Sequence, residues 1–276
     1  MHVLNKGLLA FTLLFSLSGC SMPWQEEKPV LEKTEPSLRP PTLVEVLELA
    51  ETTLKRGEGW SFQLKSQEKL TLKQQQTGAR FEAKVNVTID PYALSSQGTI
   101  LSKGKKKAEQ LVIIGEKGYL KEGKGPWKTG TRVQMQTSIE DPTQALVELA
   151  SVAKQKNAKL KMVESHGYTS VTAELAPGQN EGVLWSKARA ELEPTLKQLK
   201  GLGIRVNPAK ISLKSYKREV HIDPKTHVLH AVSTQFVFQL PTATGMIAYQ
   251  QIQTAEVRGV FKGRITLPAE LQPKAK

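Results

Sequence analysis

The chain has 276 residues, of which 39% are hydrophobic and 24% charged, and its 39 Lys and Arg against 26 Asp and Glu give a net charge of +13. A single cysteine rules out any disulfide within the chain, so stability must come from burial, and the length suffices for a sizeable core. The composition is that of a folded globular body and excludes a fibrous or low-complexity chain.

Residues 1–19 read as an export signal. Lys6 precedes an uncharged apolar or small run from Gly7 to Leu17, too short to span a bilayer, which needs about 20 apolar residues. The run ends in Leu17-Ser18-Gly19-Cys20, which resembles the lipobox of bacterial lipoproteins and marks Cys20 as the lipidated first residue of the mature chain. The expected localisation is the extracytoplasmic face of a cell membrane, with diacylglycerol and palmitate-type acyl chains on Cys20 as the anchor. Only Lys6 is lost with the signal, so the mature body stays strongly basic. Export makes nucleic acid an improbable partner and points to anionic headgroups or wall polymers.

Residues 20–41 form a linker in which Pro23, Pro29, Pro36, Pro40 and Pro41 alternate with charges, an extended spacer rather than a core element. Residues 42–276 read as one domain. Thr42 and Glu45 make a capping box, followed by Leu43, Val46, Leu47, Ala50 and Leu54 at helical spacing up to Gly57. Trp60, Phe62 and Leu64, then Phe81 to Ile89, alternate apolar with polar as half-buried strands do. Leu111–Ile114 and Gly118–Lys121 predict a hairpin around Gly115-Glu116-Lys117.

Asp141 and Pro142 start a second helix carrying Ala145, Leu146, Leu149, Val152 and Ala153. Strands are predicted near Leu160–Val163 and Tyr168–Leu175, then a helical region over 181–200 that Pro194 is expected to break. The last 70 residues return to strand, with a phase slip between Leu213 and Tyr216 that predicts a bulge. Val87-Thr88-Ile89-Asp90-Pro91 and Val220-His221-Ile222-Asp223-Pro224 end alike, which reflects shared turn chemistry rather than duplication.

The lipobox, Gly118-Tyr119-Leu120-Lys121 running into Gly125-Pro126-Trp127-Lys128, Val220 to Thr226, and Ile265-Thr266-Leu267-Pro268 together resemble the LolA-like envelope lipoproteins, in particular the branch that includes LppX and LprG. The resemblance implies an α+β fold: a large curved antiparallel sheet, a half-open barrel, with helices packed on its concave face. It also implies an apolar cavity for a lipid or other amphiphile, and it favours a Gram-positive plasma membrane. Some relatives bind envelope proteins instead, so a tethered adaptor that positions a cell-envelope enzyme is the alternative.

Trp60, Phe62, Phe81, Val85, Val87, Phe236 and Phe238 are the candidate cavity lining, and they serve equally well as ordinary core. Lys103, Lys105, Lys106 and Lys107, with Gly104 among them, read as a basic loop between strands and are candidates for contact with an anionic surface. No nucleophile elbow, phosphate loop or metalloprotease helix is present, so no enzyme, cofactor or catalytic residue is expected. His221, His227 and His230 do not share a strand face, so no metal site is expected either.

Overall fold

The computed structural model describes residues 39–135, 141–155, 159–179 and 181–272. The signal segment, Cys20 and nearly all of the linker lie outside the described residues. From Pro41 onward the chain forms a single compact unit.

That unit opens with helix α1 (Leu43–Arg56), and its start is as expected. The Thr42 hydroxyl accepts from the Glu45 amide, and the Glu45 carboxylate accepts from the Thr42 amide at 2.7 Å. Val46, Leu47, Ala50 and Leu54 form its buried stripe. Gly57 ends the helix for a steric reason, since a β-carbon there would lie 2.9 Å from the Trp60 indole. That indole donates to the Leu54 carbonyl at 3.0 Å, which satisfies a carbonyl of the last turn and ties the helix to the sheet.

Among the described residues eleven strands follow: β1 (Gly59–Leu72), β2 (Gln75–Thr88), β3 (Ala93–Ser102), β4 (Lys105–Ile114), β5 (Lys117–Glu122), β6 (Lys128–Thr131), β7 (Leu160–Ser165), β8 (Tyr168–Leu175), β9 (Ser212–Ile222), β10 (Leu229–Thr242) and β11 (Gly245–Val260). They form one antiparallel sheet in the order β6-β5-β4-β3-β2-β1-β11-β10-β9-β8-β7. Two meanders, β1 to β6 and β7 to β11, are thus sewn together by their first and last strands, with Leu64 opposite Ala255 and Leu72 opposite Ile247. The outermost strands β6 and β7 do not pair with each other, so the sheet stays open.

Between the meanders lie α2 (Arg132–Met135) and α3 (Pro142–Ala153), and α4 (Val183–Gly201) joins β8 to β9. Asp141 caps α3 through the Thr143 amide at 2.9 Å, with Pro142 in the first turn as the sequence indicates. Helix α4 corrects one expectation: it runs through Pro194 unbroken. Its buried stripe, Leu184, Ala188, Leu192, Thr195 and Leu199, continues on both sides of the proline, so packing holds the two halves in line despite the missing backbone bond. The predicted bulge is present: Val237 faces Ser215 and Phe238 faces Leu213, leaving Lys214 as the extra residue.

The architecture is therefore α+β, one large open antiparallel sheet with the helices on one face, here called the inner face. The buried apolar side chains form one cluster that unites this face with α1, α3 and α4. Strand β3 is not assigned from the sequence, and β11 falls in the terminal region read as strand without being picked out individually. Over Gln251–Gln253 of β11 the apolar-in, polar-out alternation is reversed, since Gln251 and Gln253 are buried while Ile252 points outward.

Candidate functional site

All seven predicted lining residues lie on the inner face, each no more than 5% exposed. Trp60 pairs with Val87 and Phe62 with Val85 across β1 and β2, giving one apolar field, and Phe81 stands opposite Ser66 on the same pair of strands. Phe236 and Phe238 belong to a second field on β10, where their rings lie 5.6 Å apart; Phe236 also meets Tyr249, and Phe238 meets Trp185 of α4. The structure unites the seven in one core but divides them between two fields.

What divides the fields is a band of polar side chains that the sequence reading did not single out. One cross-strand row runs Arg218, Thr234, Gln253, Ser66 from β9 to β1, and the next row contains Tyr216, Phe236, Gln251 and Glu68. Arg218, Thr234, Gln253 and Ser66 are all less than 9% exposed. On one side stands the apolar row Val220, Val232, Ala255, Leu64, Ala83; on the other stand Leu213, Phe238, Tyr249 and Leu70.

Buried polar groups require partners, and helices supply them at the β9 end of the band. Arg218 is fully buried; its Nη1 lies 3.0 Å from Glu148 of α3, 3.2 Å from Glu191 of α4 and 3.2 Å from the Tyr216 hydroxyl. Lys187 holds Glu148 at 2.8 Å, so charge is balanced within the cluster. Along β11, Tyr249 donates to Gln251 at 2.8 Å and Gln251 donates to Gln253 at 3.3 Å. Burial raises the Tyr249 phenol above its ordinary range, reinforced by nearby Glu68 and opposed by a hydrogen bond with Thr195 of α4.

Toward β1 the partners run out. The Ser66 hydroxyl is buried with no hydrogen-bond partner among the described residues, and desolvation alone raises the Glu68 carboxyl. At the end of the band and beyond it on that side, Glu68, Leu70, Leu72, Ala79 and Ile100 are only half-buried. The inner face is closed by helices over β8 to β11 and is less covered over the far ends of β1 to β3.

A more deeply buried carboxylate lies three strands further on. Glu109 of β4 is 5% exposed, faces Glu122 of β5, and has one oxygen with no hydrogen-bond partner among the described residues. Burial, then repulsion from Glu122, pushes it up to about 7, with Lys107 opposing. Glu122 itself is held low by Lys107 and Lys128.

The four predicted surface lysines do not form a single loop. Lys103 and Gly104, both with positive φ, make the two-residue turn, while Lys105, Lys106 and Lys107 belong to β4. Alternation sends Lys105 and Lys107 to one face and Lys106 to the other. Lys107 pairs with Glu122 at 2.8 Å.

On the outer face, Tyr168 stacks on His230 at 4.3 Å and lies 6.3 Å from His221, along an open trough of about 710 Å³, while His227 sits in the turn between β9 and β10. Among the described residues no group of three metal-ligating side chains converges, and no helix is long and apolar enough to cross a membrane.

No family model and no curated protein sequence matches this chain. Among solved structures, a chain from a study of lipid-protein interactions in lipovitellin is similar at a TM-score of 0.32 and 8% identity, over 77% of this chain and 26% of that one. A DUF1329 family protein from Desulfovibrio piger gives 0.27 and 6%, over 77% and 92% of the two chains. A β-barrel-like DUF1849 protein from Brucella abortus gives 0.26 and 8%, over 72% and 98%. The chain spans about a quarter of the lipovitellin chain. Likenesses this distant leave the function to be argued from the residues.

Proposed function

We propose that this protein is a lipid-anchored extracytoplasmic carrier that binds a lipid or another amphiphile on the inner face of a LolA-like half-barrel, without catalysis. The lipobox and the proline-rich linker support anchoring through Cys20 on the outer side of a cell membrane, with a Gram-positive plasma membrane favoured. The observation that carries the binding reading is the inner face itself: two apolar fields flank a hydrogen-bonding band whose β1 end is unsatisfied and borders a half-covered apolar stretch.

An amphiphile has the same order of chemistry. Acyl chains gain about 25 cal/mol for each Å² removed from water, and a polar linkage at the band supplies the partner that the Ser66 hydroxyl lacks.

Replacing Gln251 and Gln253 together with leucine removes the band on β11 while keeping the volume near that of glutamine. Loss of one hydrogen bond to the amphiphile from each glutamine, about 1 kcal/mol apiece, is expected to weaken binding about 30-fold. Titration with a fluorescent diacylglycerol checks this, alongside the melting temperature of the variant. Unchanged binding by a stably folded variant contradicts the role given to the band.

The adaptor reading draws on one feature, the edge strand β7, where Val163 is 57% and Met162 37% exposed. Under that reading a single envelope enzyme co-purifies, and β7 substitutions release it while lipid binding is absent.

A further inference from the structure

The two ends of the sheet differ in charge and in shape. At one end, Glu58, Asp90, Glu116 and Asp223 occupy the connections before β1 and between β2 and β3, β4 and β5, and β9 and β10. At the other end two hairpins project. Ala79 is the last β2 residue paired with β3, so Gln75–Gly78 and the β1–β2 turn reach about four residues further, or about 13 Å. The β10–β11 hairpin projects beside it, with Leu72 opposite Ile247 and Gly245 packed near the Leu72 side chain.

The segment after α4 is fastened to the same tip. Val206 bridges Thr242, and the Asn207 amide donates to the Pro241 carbonyl at 2.9 Å.

These three segments contain no acid. Residues 69–80, 195–217 and 235–255 lack Asp and Glu altogether, while Lys69, Lys73, Lys200, Arg205 and Lys210 lie in or beside the turns. Leu202 is 69% exposed and Met246 47% exposed, the first just after α4 and the second just past the β10–β11 turn. Leu202 lies between Lys200 and Arg205 in the sequence, and Met246 adjoins Ile247, which stands opposite Leu72 next to Lys73, so each apolar side chain has cations close by along the chain or across the hairpins. The half-covered apolar stretch at Leu70 and Leu72 reaches the same end.

We infer that this end of the sheet docks on an anionic lipid bilayer, with Leu202 and Met246 entering the interface and Lys73, Lys200 and Arg205 on the headgroups. The bilayer is the occupant that matches both features, since anionic headgroups complement the cations and the acyl boundary accepts the two apolar side chains. Lys103 and Lys105 stand behind the tip and add to the same field within about a Debye length of their neighbours. The inference rests on the proposed location at a membrane surface but not on lipidation of Cys20 or on ligand loading. In the docked pose the half-covered part of the inner face meets the membrane, which gives an amphiphile a path that avoids water.

Residues 21–276, which include the whole compact unit and lack Cys20, serve for the test, by sedimentation with phosphatidylcholine vesicles with and without phosphatidylglycerol. Binding is expected only to the anionic vesicles and is expected to weaken with added salt. Each cation near the surface is worth roughly fivefold, so K73A/K200A/R205A is expected to bind about 100-fold more weakly. L202D and M246D are expected to bind several-fold more weakly at constant salt, with unchanged circular dichroism. An environment-sensitive dye on M246C is expected to shift blue on vesicles, while the same dye on V163C, at the far edge, does not. Equal binding to both vesicle types overturns the inference. So does binding to a soluble polyanion that L202D and M246D leave intact, or a dye on M246C that stays in water on the bound protein. None of these outcomes bears on whether a diacylglycerol binds the inner face.

Discussion

Replacing Arg218 with methionine is expected to cost about 3–5 kcal/mol, the loss typical of breaking a buried ion pair by removing one partner. Arg218 is fully buried and faces Glu148 and Glu191, which are mostly buried themselves. Methionine fills a similar length of the site but leaves two carboxylates close together, with Lys187 on Glu148 as a partial counter-charge. For a unit of this size the loss corresponds to a melting temperature lower by about 10 °C or more. The control is R218M/E191Q, which removes one cation and one carboxylate together, leaves the Lys187–Glu148 pair intact, and is expected to recover most of the loss. That rescue separates electrostatic from packing effects, because both variants carry the same methionine. A melting temperature for R218M within about 2 °C of the parent contradicts the burial and pairing described for this cluster.

The second large effect depends on pH. The folded Glu109 carboxyl lies at about 7, against an ordinary value of 4.5. A raised carboxylate favours the protonated folded state, so its contribution is complete below about pH 4.5 and is lost as the pH climbs through about 7. At 1.36 kcal/mol per pH unit, the loss has a ceiling of about 3 kcal/mol. E109Q cannot ionise and is expected to match the parent near pH 4, then to exceed it in stability by up to that amount at about pH 8. Urea unfolding at the two pH values checks the sign. A parent that gains stability relative to E109Q as pH rises contradicts the desolvated placement of this residue opposite Glu122.

Much of the fold was legible because several elements carry their own local chemistry. Thr42 with Glu45 and Asp141 with Pro142 mark helix starts through groups that satisfy free backbone amides. The shift in phase between Leu213 and Tyr216 marks the bulge because alternation has a strict period of two.

The failures are equally physical. Within the terminal region read as strand, β11 could not be picked out individually because its buried positions include Gln251 and Gln253 and its outward positions include Ile252. Strand β3 contains Ser95, Ser96, Gln97 and Gly98 and shows no clean alternation. Pro194 sits inside a helix that tertiary packing stabilises, a case in which a local breaker is overridden.

The candidate site was legible only in its apolar half. A reading based on hydrophobic period finds Phe62, Val85 and Phe236 and assigns interspersed polar residues to the solvent face. It has no means of assembling Arg218, Thr234, Gln253 and Ser66 into one row, because the row exists only once four strands are in register. The signal that was present is weak: three glutamines close together in Gln250-Gln251-Ile252-Gln253, two of which occupy the phase of Ile247, Tyr249 and Ala255.

Carriage of an amphiphile on the inner face is tested most directly by native mass spectrometry of residues 21–276 purified from a lipid-containing host, followed by organic extraction. Discrete adducts of lipid mass that vanish on extraction, and that diminish in Q251L/Q253L, are the predicted result. A bare protein mass under conditions gentle enough to preserve a known lipid complex contradicts the account and leaves the adaptor reading in its place.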